Sequence, residues 1–304
     1  MKIAIMGAGG IGGFYGGLLA KAGEDVAFIA RGPHLEAMRN NGLRVLSHFG
    51  DFDLPTVNAT EEPAQVGPVE LVVMTTKAYG LEAAARAIQP MVDAETLVLP
   101  LLNGVDIADR IGAVIAAEHV LGGLAKISSA IAEPGVIRQT GPFQQVLFGE
   151  FSGEPSPRVR AVEAVLKGAQ IDAVLTPHIE RELWHKFLFI AATAGVCALT
   201  RQPVGPVRSN PDTRALLEGC MREIGAVARE KGIDLDQGIV EANLQGLPPS
   251  MKPSMLLDLE RAKPLELEAL QGTVVRLGLE LGVPTPVNQF IYAALKLHAD
   301  GASP

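Results

Sequence analysis

The sequence predicts an α/β protein: a doubly wound parallel sheet in the N-terminal part, followed by an all-helical C-terminal domain. Three observations predict it. Short β-branched apolar runs alternate with helical stretches through the first part of the chain. A glycine-rich loop joins the first run to the first helix. From Thr176-Pro177 onward nearly every segment carries helical spacing. A chain of 304 residues suits two domains, and the boundary is set at residue 175, giving domains 1–175 and 176–304.

Taken in order, Lys2 to Met6 is a buried-strand pattern, and Gly10 to Ala22 reads as a helix ended by Gly23. Asp25 to Ala30 is a second strand, followed by a helix around His34 to Asn41. Glu70 to Thr75 and Thr96 to Leu101 are further strands, separated by an alanine-rich helix. Turn signals at Glu133-Pro134-Gly135 and Thr140-Gly141-Pro142 make Val120 to Phe148 irregular, with extra strands expected at the edge of the sheet. Thr176 is read as an N-cap and Pro177 as the first helical residue of a helix running towards Leu199. Further helices fit Pro211 to Lys231, Asp236 to Leu244, Ser254 to Ala262, Pro264 to Leu281 and Val287 to His298.

Composition narrows the function. Acidic residues outnumber basic ones, 34 to 26, and the net charge of -8 argues against nucleic acid as a partner. A small anionic substrate is still admissible, because local basic residues can dominate a cleft. Two cysteines, Cys197 and Cys220, give neither a disulfide framework nor a metal-ligand spacing, so no metal site and a reducing cytoplasm are expected. The apolar start imitates a secretory signal, but seven glycines between Gly7 and Gly17 weaken it as a hydrophobic helix. No membrane segment is read. The oligomeric state stays open, with a homodimer among the options.

The loop Gly7-Ala8-Gly9-Gly10-Ile11-Gly12 matches G-x-G-x-x-G, a weak signal alone but here placed between a strand and a helix. Gly7 allows the tight turn, Gly9 lets a pyrophosphate approach, and Gly12 lets helix and strand pack closely. The helix N-terminus then offers free N–H groups to the anion. This makes the sheet Rossmann-type. At the end of the second strand, where an NAD enzyme offers a carboxylate, the chain has Ala30-Arg31-Gly32. A guanidinium suits a 2′-phosphate, so NADP is the expected cofactor; a plain surface arginine is the alternative.

With these residues in hand, the chain resembles the ketopantoate reductase (2-dehydropantoate 2-reductase) family over essentially its full length. The likeness lies in the Gly7-to-Gly12 loop, Arg31, Thr76-Lys77-Ala78, Asn103-Gly104, Glu182-Leu183-Trp184-His185-Lys186, Ser254-Met255-Leu256-Leu257-Asp258, and Glu266 within Lys263 to Glu268. It implies a Rossmann domain and a helical domain with the active site in the cleft. It also implies NADPH-dependent reduction of a small 2-oxo acid, with ketopantoate becoming pantoate in pantothenate biosynthesis.

Hydride arriving at C2 of a 2-oxo acid leaves negative charge on the former ketone oxygen, which needs a proton donor. Lys186 is the candidate, on a mainly apolar helix beside Trp184 where burial disfavours the charged form; a solvated lysine is the bland reading. The resemblance gives Glu266 the role of binding the substrate hydroxyl and balancing the lysine. From sequence alone Glu268 competes with it. Asn103 and Ser254 resemble donors to the ketone and carboxylate, with Asn103 also beside the cofactor, and Lys77 resembles a residue near the adenosine end. Family members carry asparagines four and eight residues after the lysine, where this chain has Ile190 and Ala194. That spacing keeps both on the lysine's face, so an apolar pocket wall is expected, with Thr193 able to supply one hydroxyl. Three alternatives follow: a reductase of a more apolar 2-oxo acid, akin to D-2-hydroxyacid dehydrogenases; a 3-hydroxyacid dehydrogenase; and a non-catalytic NADP sensor.

Overall fold

The computed structural model describes residues 1–236, 238–245 and 248–301. They divide into two compact units: residues 1–102 with 107–179, and residues 103–106 with those from 180 onward. In chain order the first unit contains β1 (Lys2–Met6), α1 (Gly10–Lys21), β2 (Asp25–Ile29), α2 (Gly32–Asn41), β3 (Leu43–Leu46), β4 (Phe52–Leu54) and β5 (Asn58–Thr60). It continues with β6 (Leu71–Met74), α3 (Leu81–Ile88), β7 (Leu97–Pro100), α4 (Ile107–Ile115), β8 (Gly122–Glu133), β9 (Val136–Gly149), α5 (Pro157–Gly168) and β10 (Asp172–Leu175).

Strands buried on both faces read as unbroken apolar runs, and β1, β2, β6 and β7 do so because each is buried along almost all its length. They form a parallel sheet in the order β5-β2-β1-β6-β7. The order reverses between β1 and its two neighbours, the switch point at which such sheets bind ligands.

The segment Val120 to Phe148 departs from expectation. Instead of adding strands to the edge of that sheet, it makes a long hairpin in a second sheet. β8 and β9 pair with each other along most of their length, which leaves the other edge of β9 for β3 and β10. The parallel sheet receives only the bridge between Val98 and Val120. Glu133-Pro134-Gly135 is the hairpin turn, and Thr140-Gly141-Pro142 is a bulge inside β9. Gly141 takes φ 79° and Pro142 has no N–H, so neither fits a regular ladder. The Gln139 amide fills the bulge by donating to the carbonyls of Thr140, Gly141 and Phe143.

His34 joins α2 to the hairpin turn. Its buried Nδ1 accepts the Gly135 N–H at 3.0 Å, which requires that nitrogen to be unprotonated. Burial pushes the ring below its ordinary value of 6.5, partly opposed by the Ala8 backbone. The unfolded chain therefore takes up the proton first as pH falls. The stability contributed by the neutral ring should be complete above pH 6.5 and decline below it. Replacing His34 with glutamine, whose side-chain oxygen still accepts the Gly135 N–H, should flatten that part of the stability–pH curve in urea unfolding. An unchanged slope below pH 6.5 would remove His34 from the account.

The second unit is built from α6 (Ile179–Thr200), α7 (Val204–Ser209), α8 (Pro211–Glu230), α9 (Ile239–Gln245) and α10 (Ser254–Glu260). A π-helical turn (Glu268–Gly272), α11 (Thr273–Leu281) and α12 (Pro286–Lys296) complete it. α6 begins two residues later than expected. The Thr176 N–H still donates to Phe148 O, which continues the β10 ladder, while its hydroxyl accepts the His178 N–H at 3.1 Å in the turn that precedes the helix. The expected helix from Pro264 to Leu281 starts later, since Pro264 to Glu266 lie outside any helix, and its first turn is π-helical, with Gly272 N–H bonding back five residues to Leu267 O. Of the expected helix Asp236 to Leu244, Gln237 lies outside the described residues, and α9 accounts for the rest from Ile239.

α6 is, by length and composition, apolar enough to cross a membrane, and most of its apolar window is buried. Trp184, Phe187, Leu188, Ala191, Ala192, Ala194 and Val196 to Ala198 belong to the core of the helical unit. Both cysteines lie in that core as free thiols. Burial pushes the Cys197 thiol up to about 12 and that of Cys220 higher still, so neither is poised to react.

Candidate functional site

The glycine loop is fixed from three directions. Gly7 and Ala8 both donate to Ile29 O, at 3.2 and 2.9 Å, tying the loop to the end of β2. The Thr75 hydroxyl, just past β6, donates to Gly7 O at 2.7 Å. The Ser129 hydroxyl of β8 donates to Gly10 O at 2.8 Å. Gly7 takes φ 100°, which L side chains rarely adopt.

The surroundings of the glycines fit a pyrophosphate. A Cβ on Gly12 would overlap Gly7 O and the Thr75 hydroxyl, and a Cβ on Gly10 would overlap the Ser129 carbonyl. A Cβ on Gly9 would meet nothing within 4 Å, so the loop is open on that side. The first helical bond of the loop is Gly13 N–H to Gly9 O at 2.7 Å. The N–H groups of Gly10, Ile11 and Gly12 therefore precede any acceptor within the helix. The Thr76 hydroxyl is buried with no hydrogen-bond partner among the described residues, and the methyl group of the same side chain borders the space that a Cβ on Gly7 would enter. Such an orphaned group suits a ligand oxygen.

Arg31 is exposed, with its backbone at the N-cap position of α2, two residues beyond the Ile29 carbonyl that holds the loop. No carboxylate stands between Ile29 and Leu35. Lys77 is half-buried and heads the short 3-10 turn Ala78–Gly80.

Asn103 belongs to the helical unit, although it follows β7 in the chain. Its segment is anchored there by Asp106, whose Oδ2 lies 2.7 Å from the Arg276 guanidinium and 3.5 Å from the Thr273 hydroxyl of α11. Sequence reasoning missed this tie, since nothing local to Asp106 or Arg276 links residues 170 positions apart. Asn103 and Lys186 are half-buried, the latter near the middle of α6, and Ser254 is exposed at the start of α10.

Glu266 and Glu268 have different surroundings. Glu266 is 7% exposed. The Glu268 carboxylate faces α12, where Tyr292 Oη donates to it at 2.8 Å and Lys296 pairs with it. Burial raises the Glu268 carboxyl, but Lys296 and Tyr292 outweigh this and hold it below its ordinary value. Glu266 precedes the π turn in a stretch without regular structure and Glu268 is the first residue of the turn, so no regular helical spacing relates the two.

On the lysine's helix, Ile190 is half-buried and Ala194 is 4% exposed. The Thr193 hydroxyl donates back to Phe189 O at 2.8 Å, and the residue is buried. Its proton is therefore engaged within its own helix, which leaves only its lone pairs to accept from a ligand. Among the described residues no group of His, Cys, Asp and Glu is arranged to hold a metal.

Comparison with known proteins adds the following. Residues 3–153 match the model for ketopantoate reductase PanE/ApbA, and residues 178–299 match the model for its C-terminal domain. The chain is 33% identical over 303 residues to an uncharacterized oxidoreductase, YkpB, of Bacillus subtilis, covering 98% of this chain and 99% of that one. It is 31% identical to a 2-dehydropantoate 2-reductase of Mesorhizobium japonicum, covering 97% of each. A crystal structure of a PanE/ApbA family ketopantoate reductase from Ralstonia eutropha superposes with a TM-score of 0.91, at 30% identity and 98% coverage of both chains.

Proposed function

Because the chain belongs to the ketopantoate reductase family, we propose that it reduces ketopantoate to pantoate with NADPH, a step of pantothenate biosynthesis. The observation that supports this best is that Asn103 joins Lys186, Ser254 and Glu266 in one compact unit despite lying far from them in sequence. A protein that only sensed the nucleotide would need none of the four. Oxidoreductase chemistry is common to the family; the cofactor, the substrate and a cytoplasmic location are our reading.

NADPH, when bound, supplies the hydride. The N–H groups at the start of α1 hold its pyrophosphate, and Arg31 neutralises the 2′-phosphate. Lys186 donates the proton that the former ketone oxygen requires as negative charge develops on it. Asn103 donates a hydrogen bond to the same oxygen, and Ser254 donates one to the substrate carboxylate. Glu266, already shielded from water, accepts from the substrate hydroxyl at little further desolvation cost. Glu268 takes no part, being committed to Tyr292 and Lys296.

One observation favours a second reading. Ile190 and Ala194 give the lysine's face of α6 apolar groups where family members carry amides, which suits a branched 2-oxo acid without a terminal hydroxyl. Steady-state consumption of NADPH with a panel of 2-oxo acids tests the proposal. Preferential turnover of ketopantoate supports it, preferential turnover of branched 2-oxo acids without the hydroxyl supports the second reading, and NADPH binding with no turnover of any of them would favour the sensor.

A further inference from the structure

The hairpin of β8 and β9 touches both segments to which a nucleotide role is given above. Near the middle of β8, the Ser129 hydroxyl grips Gly10 O at 2.8 Å, and the β8 backbone lies so close that Gly10 could carry no side chain. At the hairpin turn, Gly135 N–H donates to His34, three residues after Arg31. A Cβ on Gly135 would lie 3.1 Å from that of Ala37, so turn and helix are in van der Waals contact.

A peptide unit is planar and trans, so its C=O and N–H point in opposite directions. The Gly10 carbonyl and the Ile11 N–H belong to one such unit. A donor that grips Gly10 O from the β8 side therefore turns Ile11 N–H away from β8. Ile11 N–H is one of the unpaired donors at the start of α1. Polarising the carbonyl also strengthens the N–H as a donor. The neighbouring Ser128 does none of this, because its exposed hydroxyl accepts from Thr140 at 3.0 Å.

We infer that the β8–β9 hairpin is a positioning element of the nucleotide site, in which Ser129 orients the Gly10–Ile11 peptide toward the cofactor's pyrophosphate. This rests on the reading that Gly7 to Gly12 binds a dinucleotide. The pyrophosphate is common to NADPH and NADH, so the effect of Ser129 is the same for both, unlike that of Arg31.

Fluorescence titration of the full chain with NADPH and with NADH tests the inference. Ser129→Ala should weaken both by a similar factor, about three- to tenfold, the scale of one net hydrogen bond. KM for NADPH should rise by the same factor as the dissociation constant. Ser129→Thr, which keeps the hydroxyl, should bind as the unsubstituted protein does, and so should Ser128→Ala. If the unsubstituted protein binds and Ser129→Ala binds equally well, or loses affinity for NADPH alone, the inference is overturned and the cofactor reading stands. If the unsubstituted protein binds neither nucleotide, both are overturned.

Discussion

Lys186→Ala should lower kcat by roughly a hundredfold or more, the usual scale for loss of a general acid, while NADPH binding measured by fluorescence survives. The separation is expected because Lys186 lies in the helical unit, whereas the glycine loop and Arg31 lie in the other. Loss of the lysine leaves the hydride donor bound but removes the proton that the developing alkoxide needs. Trp184 and Phe187 pack edge to face beside Lys186, with ring centroids 5.7 Å apart, so alanine at 186 should leave the fold in place. Near-native turnover in the variant would take Lys186 out of the mechanism.

Arg31→Ala should raise KM for NADPH by about tenfold or more and leave NADH kinetics almost unchanged. A charge-assisted bond to phosphate supplies that magnitude even after discounting for the exposure of the side chain. Among the described residues the Arg31 side chain donates to no group that a substitution would orphan, and its place at the end of β2 comes from the backbone. Equal losses with both nucleotides would show that the guanidinium does not read the phosphate.

What the sequence disclosed and what it withheld follow from how local the signals are. β1, α1 and β2 are legible because parallel strands buried on both faces are continuous apolar runs, and because Gly7 to Gly12 sit in the one context where their spacing has meaning. The second sheet was not foreseen. Its pairing of β9 with β3 and β10 joins residues far apart in sequence, and β4 has three residues. At the candidate site, Glu266 and Glu268 could not be separated by spacing. Their contrast comes from Lys296 and Tyr292, on a helix that no local pattern connects to them. Ser129 was invisible for the same reason: it lies 119 positions from Gly10. The expected helix start at Pro177 was two residues early: the Thr176 hydroxyl does accept the His178 N–H, but Pro177 and His178 form a turn and the helix begins at Ile179.

The central claim, NADPH-dependent reduction of ketopantoate, is tested most directly by one ratio. It is kcat/KM for ketopantoate divided by kcat/KM for 2-oxoisovalerate, which lacks the terminal hydroxyl, both measured with NADPH. A buried methyl contact changes binding by roughly 1 kcal/mol, so the apolar Ile190 and Ala194 favour 2-oxoisovalerate only modestly, while Glu266 rewards the hydroxyl. The predicted ratio is therefore clearly above one and below about a thousand. A ratio near one, or inverted, would contradict the assignment to pantothenate biosynthesis.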